Sequence, residues 1–279
     1  MEQNAGRLWI VFSQYFKNYY RSRSFYMMLF VSLMVSTIMT YFSLRYGSNI
    51  QVRFDGFTFN SLSSQLKENI MLYIWGIILS YLPVFSSVFF GSPAISSEIE
   101  NGTAYHIFPL PIKRTTLLAG KLISAILVSF IVVSIYSLFE LVNLEIMFGN
   151  VPWILFLYSY LLLLLFIVSI TSFTFLVSAI FNKNLYAYIT VFLLYYLIFN
   201  AVYIILEFLY NYNAYFLLNQ AATIIERVFV NLNFLFPLSN STINGASVGE
   251  MYSAAVVMFL YTVISVAGAL VLFDRKEVR

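Results

Sequence analysis

The chain has no cysteine and few charged residues, and both shortages narrow what it can be. Its 279 residues include no cysteine and a single histidine; 10% of them are charged and 61% are hydrophobic. Without cysteine there is no disulfide, no thiolate metal site and no cysteine nucleophile. Soluble domains carry about 25% charged residues, so this composition predicts a protein that crosses a membrane several times.

Several enzyme motifs are also missing. The chain lacks the G-x-x-x-x-G-K-[ST] phosphate loop, because Gly120-Lys121 is followed by Leu122 and has no glycine five positions earlier. It also lacks the H-E-x-x-H zinc motif and the G-x-S-x-G nucleophile motif. We therefore expect no catalytic residue, no metal site and no cofactor on this chain. The net charge of +3 gives no indication of nucleic-acid binding.

Long apolar stretches are what the chain has instead. A helix needs about 20 mostly apolar residues to cross the hydrocarbon core of a bilayer. Six stretches meet this requirement, near residues 25–44, 70–90, 117–146, 153–181, 185–208 and 251–273. The sequence predicts an all-α polytopic membrane protein with six transmembrane helices in a single domain, 1–279.

Lysine and arginine are divided unevenly between the two sides of such a bundle. Of the fifteen, eleven fall on the side of both termini and four on the other. Cytoplasmic loops carry the excess of basic residues. This predicts a plasma-membrane protein with cytoplasmic termini, a cytoplasmic loop over 92–116 and an outer loop over 209–250.

The outer loop is aromatic and rich in asparagine. Its stretch 221–235 predicts a short helix at the membrane interface, too polar for a seventh span. Asn240-Ser241-Thr242 matches the N-glycosylation pattern. An unmodified turn explains Asn240 equally well.

The residues before the first span form an amphipathic pattern. Apolar side chains recur at helical spacing on one face, and basic ones share the other: Leu8, Phe12, Tyr15, Phe16 and Tyr19 against Arg7, Lys17 and Arg21. The pattern predicts an interfacial helix over 5–22 on the inner leaflet. Its role is either a simple anchor or contact with a partner.

Three acidic residues lie within the apolar stretches. Glu140, Glu145 and Glu207 are each placed near the outer end of a predicted span. A charge in hydrocarbon is costly, so intramembrane acids are candidates for proton relays. Because all three lie near that end, we expect their carboxylates to reach water instead.

A polar island broken by proline lies between the second and third spans. It reads E-I-E-N-G-T-A-Y-H-I-F-P-L-P-I-K-R-T-T-L-L-A-G-K from Glu98 to Lys121. Gly102 interrupts one short helical turn, and the two prolines prevent helix until the third span begins. The pattern predicts an elbow at the cytoplasmic surface, with His106 as a surface residue.

The elbow resembles the cytoplasmic loop of permease subunits in ABC type 2 exporters. The residues that carry the resemblance are Glu98, Gly102, Thr103, Pro109, Lys113, Arg114 and Lys121. The Pro-Leu-Pro and Lys-Arg order departs from the family's more usual Pro-Ile/Val-Ser-Arg. The basic lead-in helix, the six spans and the large loop before the last span extend the resemblance over most of the chain.

The resemblance implies that the elbow is a coupling helix. This helix would dock onto a separate ATP-binding subunit, present in two copies and holding ATP and Mg²⁺. We expect the docking residues to be Glu98, Ile99, Glu100, Gly102, Thr103 and Tyr105. The elbow itself would be fixed, with its cations against lipid phosphate, by Pro109, Pro111, Lys113, Arg114 and Lys121.

A second permease copy, or a homologous permease, would enclose the pathway with this chain. Small and polar side chains in the second and fifth spans are candidates for lining it: Ser80, Pro83, Ser86, Ser87, Tyr188, Tyr195 and Asn200. Ordinary helix packing through such side chains is the alternative reading.

The sequence therefore predicts the transmembrane subunit of an ATP-driven exporter, which is not itself an enzyme. Its cargo would be an amphipathic, peptide, lipid or drug-like substrate. One alternative is an ion-coupled secondary transporter, which would work without nucleotide. Another is a membrane scaffold or enzyme with no transport cycle.

Overall fold

A computed structural model describes residues 2–46, 64–103, 112–149, 151–210, 214–230, 234–236 and 241–276, which are mostly helical with one short hairpin. The elements in chain order are α1 (Glu2–Tyr20), α2 (Arg23–Tyr46), α3 (Ser64–Gly91), α4 (Pro93–Glu100), α5 (Arg114–Phe148), α6 (Trp153–Ile180), α7 (Asn184–Phe192), a π-helical segment (Leu193–Ile198), α8 (Phe199–Tyr210), α9 (Leu218–Ala222), α10 (Ile224–Arg227), β1 (Phe234–Phe236), β2 (Ser241–Ile243) and α11 (Val248–Arg275). The two strands pair antiparallel, with Leu235 opposite Thr242.

Six helical segments are long and apolar enough to cross a membrane. They are α2, α3 with α4, α5, α6, the unit of α7 through α8, and α11. Helices suit this environment because each satisfies its own backbone hydrogen bonds, which lipid cannot do. The predicted all-α polytopic fold with six transmembrane helices is confirmed. At 1.5 Å per residue, the 35 residues of α5 extend over about 50 Å, beyond a hydrocarbon core of about 30 Å.

The centre of the bundle is formed by α3, α5 and α6. Trp75, Tyr136 and Phe166, one from each helix, are at most 1% exposed. The Tyr136 hydroxyl donates to the carbonyl of Trp75 over 3.2 Å, and the Trp75 indole donates to Ser43 Oγ of α2 over 3.1 Å. The polar atoms of these aromatics are therefore satisfied inside the bundle. Around this centre, α1 lies along α5 and α11 lies along α6.

Proline and a π-helical segment interrupt the regular helices of the second and fifth spans. Pro83 lies inside α3 and has no N–H to donate to the preceding turn. Ser92 separates α3 from α4, and Pro93 begins α4 at the position where helices accept proline. The segment 193–198 widens the helical turn, as π-helical insertions do, often at functional sites.

One end of the bundle, here called the elbow end, holds α1, α4, the turn between α6 and α7, and the end of α11. Arg114 at the start of α5 donates to the carbonyls of Phe273 and Asp274, both over 2.8 Å. Lys276 donates to the carbonyls of Ala179 and Phe181, also over 2.8 Å. These two cations thus satisfy the free carbonyls at the C-terminal ends of α11 and α6. They also interact favourably with the negative ends of the two helix dipoles.

At the opposite end, here called the far end, α9 and α10 pack into the bundle. Ile225 is fully buried, and Ser159 of α6 donates to its carbonyl over 2.7 Å. Gly76 of α3 permits the close approach, because a Cβ there would lie 2.8 Å from the Cα of Glu226. The prediction of an interfacial helix over 221–235 is therefore wrong. The apolar side chains of α10 face the protein core instead.

Gly120 provides a test of the contact between α1 and α5. A Cβ at Gly120 would lie 2.6 Å from Val11 Cγ1, whereas a Cβ at Gly6 would meet nothing within 4 Å. Replacing glycine by alanine inside a helix otherwise stabilises it by roughly 0.5–1 kcal/mol. In detergent, Gly120→Ala should lower the apparent Tm and Gly6→Ala should leave or raise it. Equal shifts would contradict this packing.

Candidate functional site

The elbow contains a short helix, α4, that follows the second span directly. It ends at Glu100, where the N–H of Asn101 bonds to the carbonyl of Ser97 and the N–H of Gly102 to that of Ile99. Gly102 has a φ of 70°, a conformation that glycine adopts without steric cost. The chain therefore turns sharply after α4.

Three segments meet at a buried ion pair beneath α4. Lys121 of α5 forms a salt bridge with Glu98 of α4, and its Nζ also donates to the carbonyl of Ala94 over 2.7 Å. Tyr15 of α1 donates its hydroxyl to Glu98 Oε1 over 2.6 Å. Lys121 Nζ also lies 4.8 Å from the centroid of the Tyr15 ring, within cation–π range.

The burial of this group decides how it behaves. Lys121 is 1% exposed and Glu98 is 7% exposed, so little water screens their attraction. Burial and the Glu98 carboxylate raise the pKa of Tyr15 well above its usual value, which keeps the hydroxyl protonated and able to donate. Removing one partner of such a pair leaves an uncompensated buried charge. The ion pair therefore fixes α4 against both α1 and α5.

The structure corrects the roles predicted for both members of this pair. Glu98 was expected in the docking patch, but its side chain points into the bundle rather than out of α4. Lys121 was expected against lipid phosphate, but it is buried and neutralised by Glu98. The two charges lie 23 positions apart in the chain, so only the packing of α4 on α5 reveals that they pair.

Polar contacts also fix α4 to the fourth and fifth spans. Ser178 Oγ of α6 accepts from the N–H groups of Ile95 and Ser96, over 3.0 and 3.1 Å. The Ser96 hydroxyl donates to Asn184 Oδ1 of α7 over 2.6 Å, and the N–H of Asn184 donates to Glu100 Oε2 over 2.8 Å. With the ion pair, α4 is bound to α1, α5, α6 and α7.

The other predicted elbow residues divide into exposed and packed positions. Glu100, Thr103 and Lys113 are exposed, whereas Ile99 is half-buried against the core and Gly102 is half-buried. Arg114, expected against lipid phosphate, instead donates to the carbonyls at the end of α11. The remaining positions lie outside the described residues: Tyr105, His106, Pro109 and Pro111.

Three of the candidate pathway residues belong to helix packing within the chain. Pro83, Ser86 and Ser87 of α3 are buried, and Ser87 Oγ lies 2.9 Å from Thr171 Oγ1 of α6. Ser87 therefore faces α6. Tyr188 is half-buried, and its ring lies 5.9 Å from that of Phe89.

The other three candidates meet at the far end around a small polar cavity. Its volume is about 70 Å³, and it is here called the far-end chamber; the residues that line it include Ser80, Tyr195, Tyr196, Asn200, Asn219 and Glu226. The sequence pattern did not single out Glu226 or Asn219. An acidic residue inside the apolar stretch from Ala221 to Val230 was the available signal.

Glu226 is the acidic group of the far-end chamber. It is 8% exposed, and its Oε2 accepts from Ser80 Oγ over 3.5 Å. The adjacent Arg227 is occupied elsewhere, since its Nη2 lies 3.0 Å from Glu250 Oε1. Burial raises the pKa of Glu226 to about 8, against smaller opposing effects of Ser80, Arg227 and Tyr73.

Glu140 of α5 departs from the expectation that it reaches water. It is fully buried, and among the residues that the structure describes neither of its carboxyl oxygens has a hydrogen-bond partner. Its place on the inner face of α5, one turn from Tyr136, removes it from the outer surface.

Elsewhere in the described part of the chain, no group of three His, Cys, Asp or Glu side chains could hold a metal ion.

The raised pKa of Glu226 predicts a stability difference that depends on pH. Its folded value of about 8 lies above the ordinary 4.5, so the folded state loses stability as pH rises from about 5 to 8. Glu226→Gln has no such titration. Its apparent Tm relative to the parent chain should rise across this window and stay constant below it. A constant difference in Tm between the two chains across this window would contradict the raised pKa of Glu226.

A double-mutant cycle tests the ion pair of the elbow. Glu98→Gln and Lys121→Met each leave one buried partner uncompensated, which costs about 3–5 kcal/mol. The double variant should be less destabilised than the sum of the two single changes, because it removes both charges. Apparent Tm values in detergent measure this. Additive shifts would show that the two side chains do not interact.

The chain matches a known protein family. A family model described as ABC-2 family transporter protein matches residues 9–278, which include all six apolar helices, the elbow and the far-end chamber. No curated protein gives a significant match. The match covers nearly the whole chain. The chain is therefore a member of the ABC-2 family of transporter proteins.

Proposed function

We propose that this chain is the permease subunit of an ATP-driven exporter and that α4 couples it to a separate ATP-binding subunit. Family membership makes the chain a transmembrane, multi-pass component of an ABC transporter. The observation that carries the coupling role is the attachment of α4 to four neighbouring helices by the ion pair and the Ser178 and Asn184 contacts. ATP and Mg²⁺ would be held by the partner.

A docked ATP-binding subunit would act on the bundle through these contacts. Closure of that subunit displaces α4, and the ion pair transmits the displacement to α5 and α1. Ser178 and Asn184 transmit it to α6 and α7. Packed interfaces of this kind shift between discrete arrangements instead of deforming continuously, so a small movement at α4 can change the far end.

The docking surface is narrower than the sequence suggested. Glu98 is buried, so the surface consists of the exposed residues around the end of α4: Glu100, Asn101 and Thr103. The exposed turn at Asn182 and Lys183 joins it, because the first residue of α7 contacts Glu100. The partner would therefore meet both the second span and the junction of the fourth and fifth.

Charge supports a cytoplasmic position for the elbow end. Arg7, Lys17, Lys113 and Lys183 belong to this end, and basic residues concentrate on cytoplasmic loops. Both termini would then be cytoplasmic in a plasma-membrane protein. The exposed Trp9 and Ile10 of α1 suit insertion into the inner leaflet.

Two permease copies, or this chain and a homologous one, would enclose the pathway. Only 11% of the most apolar stretch in the unit of α7 through α8 is buried within the chain. This is the smallest share among the six spans of the described residues. Its free face is therefore available for lipid or for a second copy. Closed two-fold symmetry is the usual arrangement of such assemblies. The cargo would be an amphipathic, peptide, lipid or drug-like molecule.

Charge reversal on the exposed end of α4 tests the docking surface. Glu100→Arg and, separately, Asn101→Arg should reduce copurification of the ATP-binding subunit at least tenfold, because each places a new cation in the interface. Asn101→Arg leaves the contact from Asn184 to Glu100 intact. Glu145→Arg, an exposed acid of α5, is the matched control and should copurify normally.

The same variants separate coupling from other kinds of transport. ATP hydrolysis by the complex should fall with copurification in both elbow variants and remain unchanged in the control. Normal association of both elbow variants would overturn the docking surface. Transport that continues without any ATP-binding subunit would favour the ion-coupled alternative.

A further inference from the structure

We propose that the far-end chamber recognises a primary ammonium group. This proposal goes beyond the coupling role of α4. It can also be tested separately, because binding at the far end can be measured without an ATP-binding subunit. The chamber lies between α3, the π-helical segment, α8 and the two short helices α9 and α10. Its hydrogen-bonding groups, charge and size all bear on what it can hold.

Unused hydrogen-bond acceptors identify the kind of ligand. The amide nitrogen of Asn219 donates to Asn200 Oδ1 over 2.9 Å, and among the described residues Asn219 Oδ1 has no partner. The Tyr196 hydroxyl is likewise unpartnered within the described chain. Asn219 is 8% exposed, so its oxygen is hidden from bulk water. A buried unpaired acceptor is costly, and a ligand that donates hydrogen bonds would relieve that cost.

The charge of the chamber favours a cation. Glu226 contributes a carboxyl group, and its neighbour Arg227 is paired with Glu250. Tyrosine rings from α3 and the π-helical segment complete the wall, namely Tyr81, Tyr195 and Tyr196. Ring faces attract cations, so the aromatic wall and the carboxylate act in the same direction.

Hydrogen-bond donors distinguish among cations. The chamber has a volume of about 70 Å³, which admits a terminal ammonium with its last methylene. An ammonium has three N–H donors, which match acceptors on Asn219, Tyr196 and Glu226. A quaternary ammonium has none.

A second cavity adjoins the chamber. It has a volume of about 230 Å³ and shares Gln220, Thr223 and Glu226 with the far-end chamber. Tyr203 and Tyr215 also line it. The Glu226 carboxyl thus lies where the two spaces adjoin, and the larger one can hold the rest of a molecule whose ammonium end occupies the smaller.

Thermal stabilisation by a minimal probe tests this site. The chain is placed in phosphatidylcholine nanodiscs at pH 8.5, above the Glu226 pKa of about 8 and below the value of about 10.4 typical of an alkylammonium. n-Butylammonium should raise the apparent Tm in a saturable manner, because a ligand that binds the folded state stabilises it. n-Butanol and tetramethylammonium, at equal concentration, should not.

Variants of the chamber assign the effect to the site. Glu226→Gln keeps the shape but removes the charge, and it should need at least tenfold more n-butylammonium for the same shift. Tyr196→Phe removes one acceptor without altering the packing and should weaken binding less. Glu145→Gln should behave as the parent chain. Equal responses of Glu226→Gln and the parent chain, or equal shifts with n-butanol, would overturn the proposal.

A second arm of the experiment identifies the source of the ammonium. Phosphatidylethanolamine carries the same group as an amine-bearing cargo, so it is added to the nanodiscs at increasing fraction. Competition with n-butylammonium would identify the site as one for lipid headgroups. Absence of competition, with n-butylammonium still bound, would assign it to an amine-bearing cargo. Failure of n-butylammonium to bind would reject the site and leave the docking of α4 untouched.

Discussion

The buried ion pair between Glu98 and Lys121 is the interaction on which the elbow depends. Each charge would be unfavourable alone at this depth, because the interior screens and solvates it poorly. Together they are compensated, with Tyr15 and the carbonyl of Ala94 as further partners. The same contact places α1, α4 and α5 in one arrangement. Displacement of α4 would leave both charges buried and unpaired, which is costly.

The rest of the elbow end repeats this use of polar contacts between helix termini. Arg114 and Lys276 donate to backbone carbonyls at the ends of α11 and α6, respectively. Ser178 accepts from a backbone N–H near the start of α4. The far end is built differently, from short buried helices around a small polar chamber. Under the proposed coupling, a displacement of α4 would spread through the contacts at one end and change a cavity at the other.

The sequence was sufficient for the fold but for only part of the site. Composition and apolar length predicted six spans, because lipid permits few other structures for such a chain. The pairing of Glu98 with Lys121 could not be predicted from the sequence, because it depends on how α4 packs against α5. Glu226 was missed for a related reason: its loop looked like a surface segment, but Gly76 lets α10 pack against α3. Ser80, Tyr195 and Asn200, which were candidates for lining a pathway, line the far-end chamber.

Distances across the far end test most directly whether the elbow carries motion through the ion pair. Because the chain has no cysteine, spin labels attach only where a cysteine is introduced. Phe208 and Val248 are exposed and suit such labels. In complex with the ATP-binding subunit, ATP should change the distance between these labels in the parent chain. The change should be smaller in the Glu98→Gln, Lys121→Met double variant, because displacement of α4 then reaches α6 and α7 but is no longer transmitted by the ion pair to α5 and α1. An equal change in both chains would contradict the account.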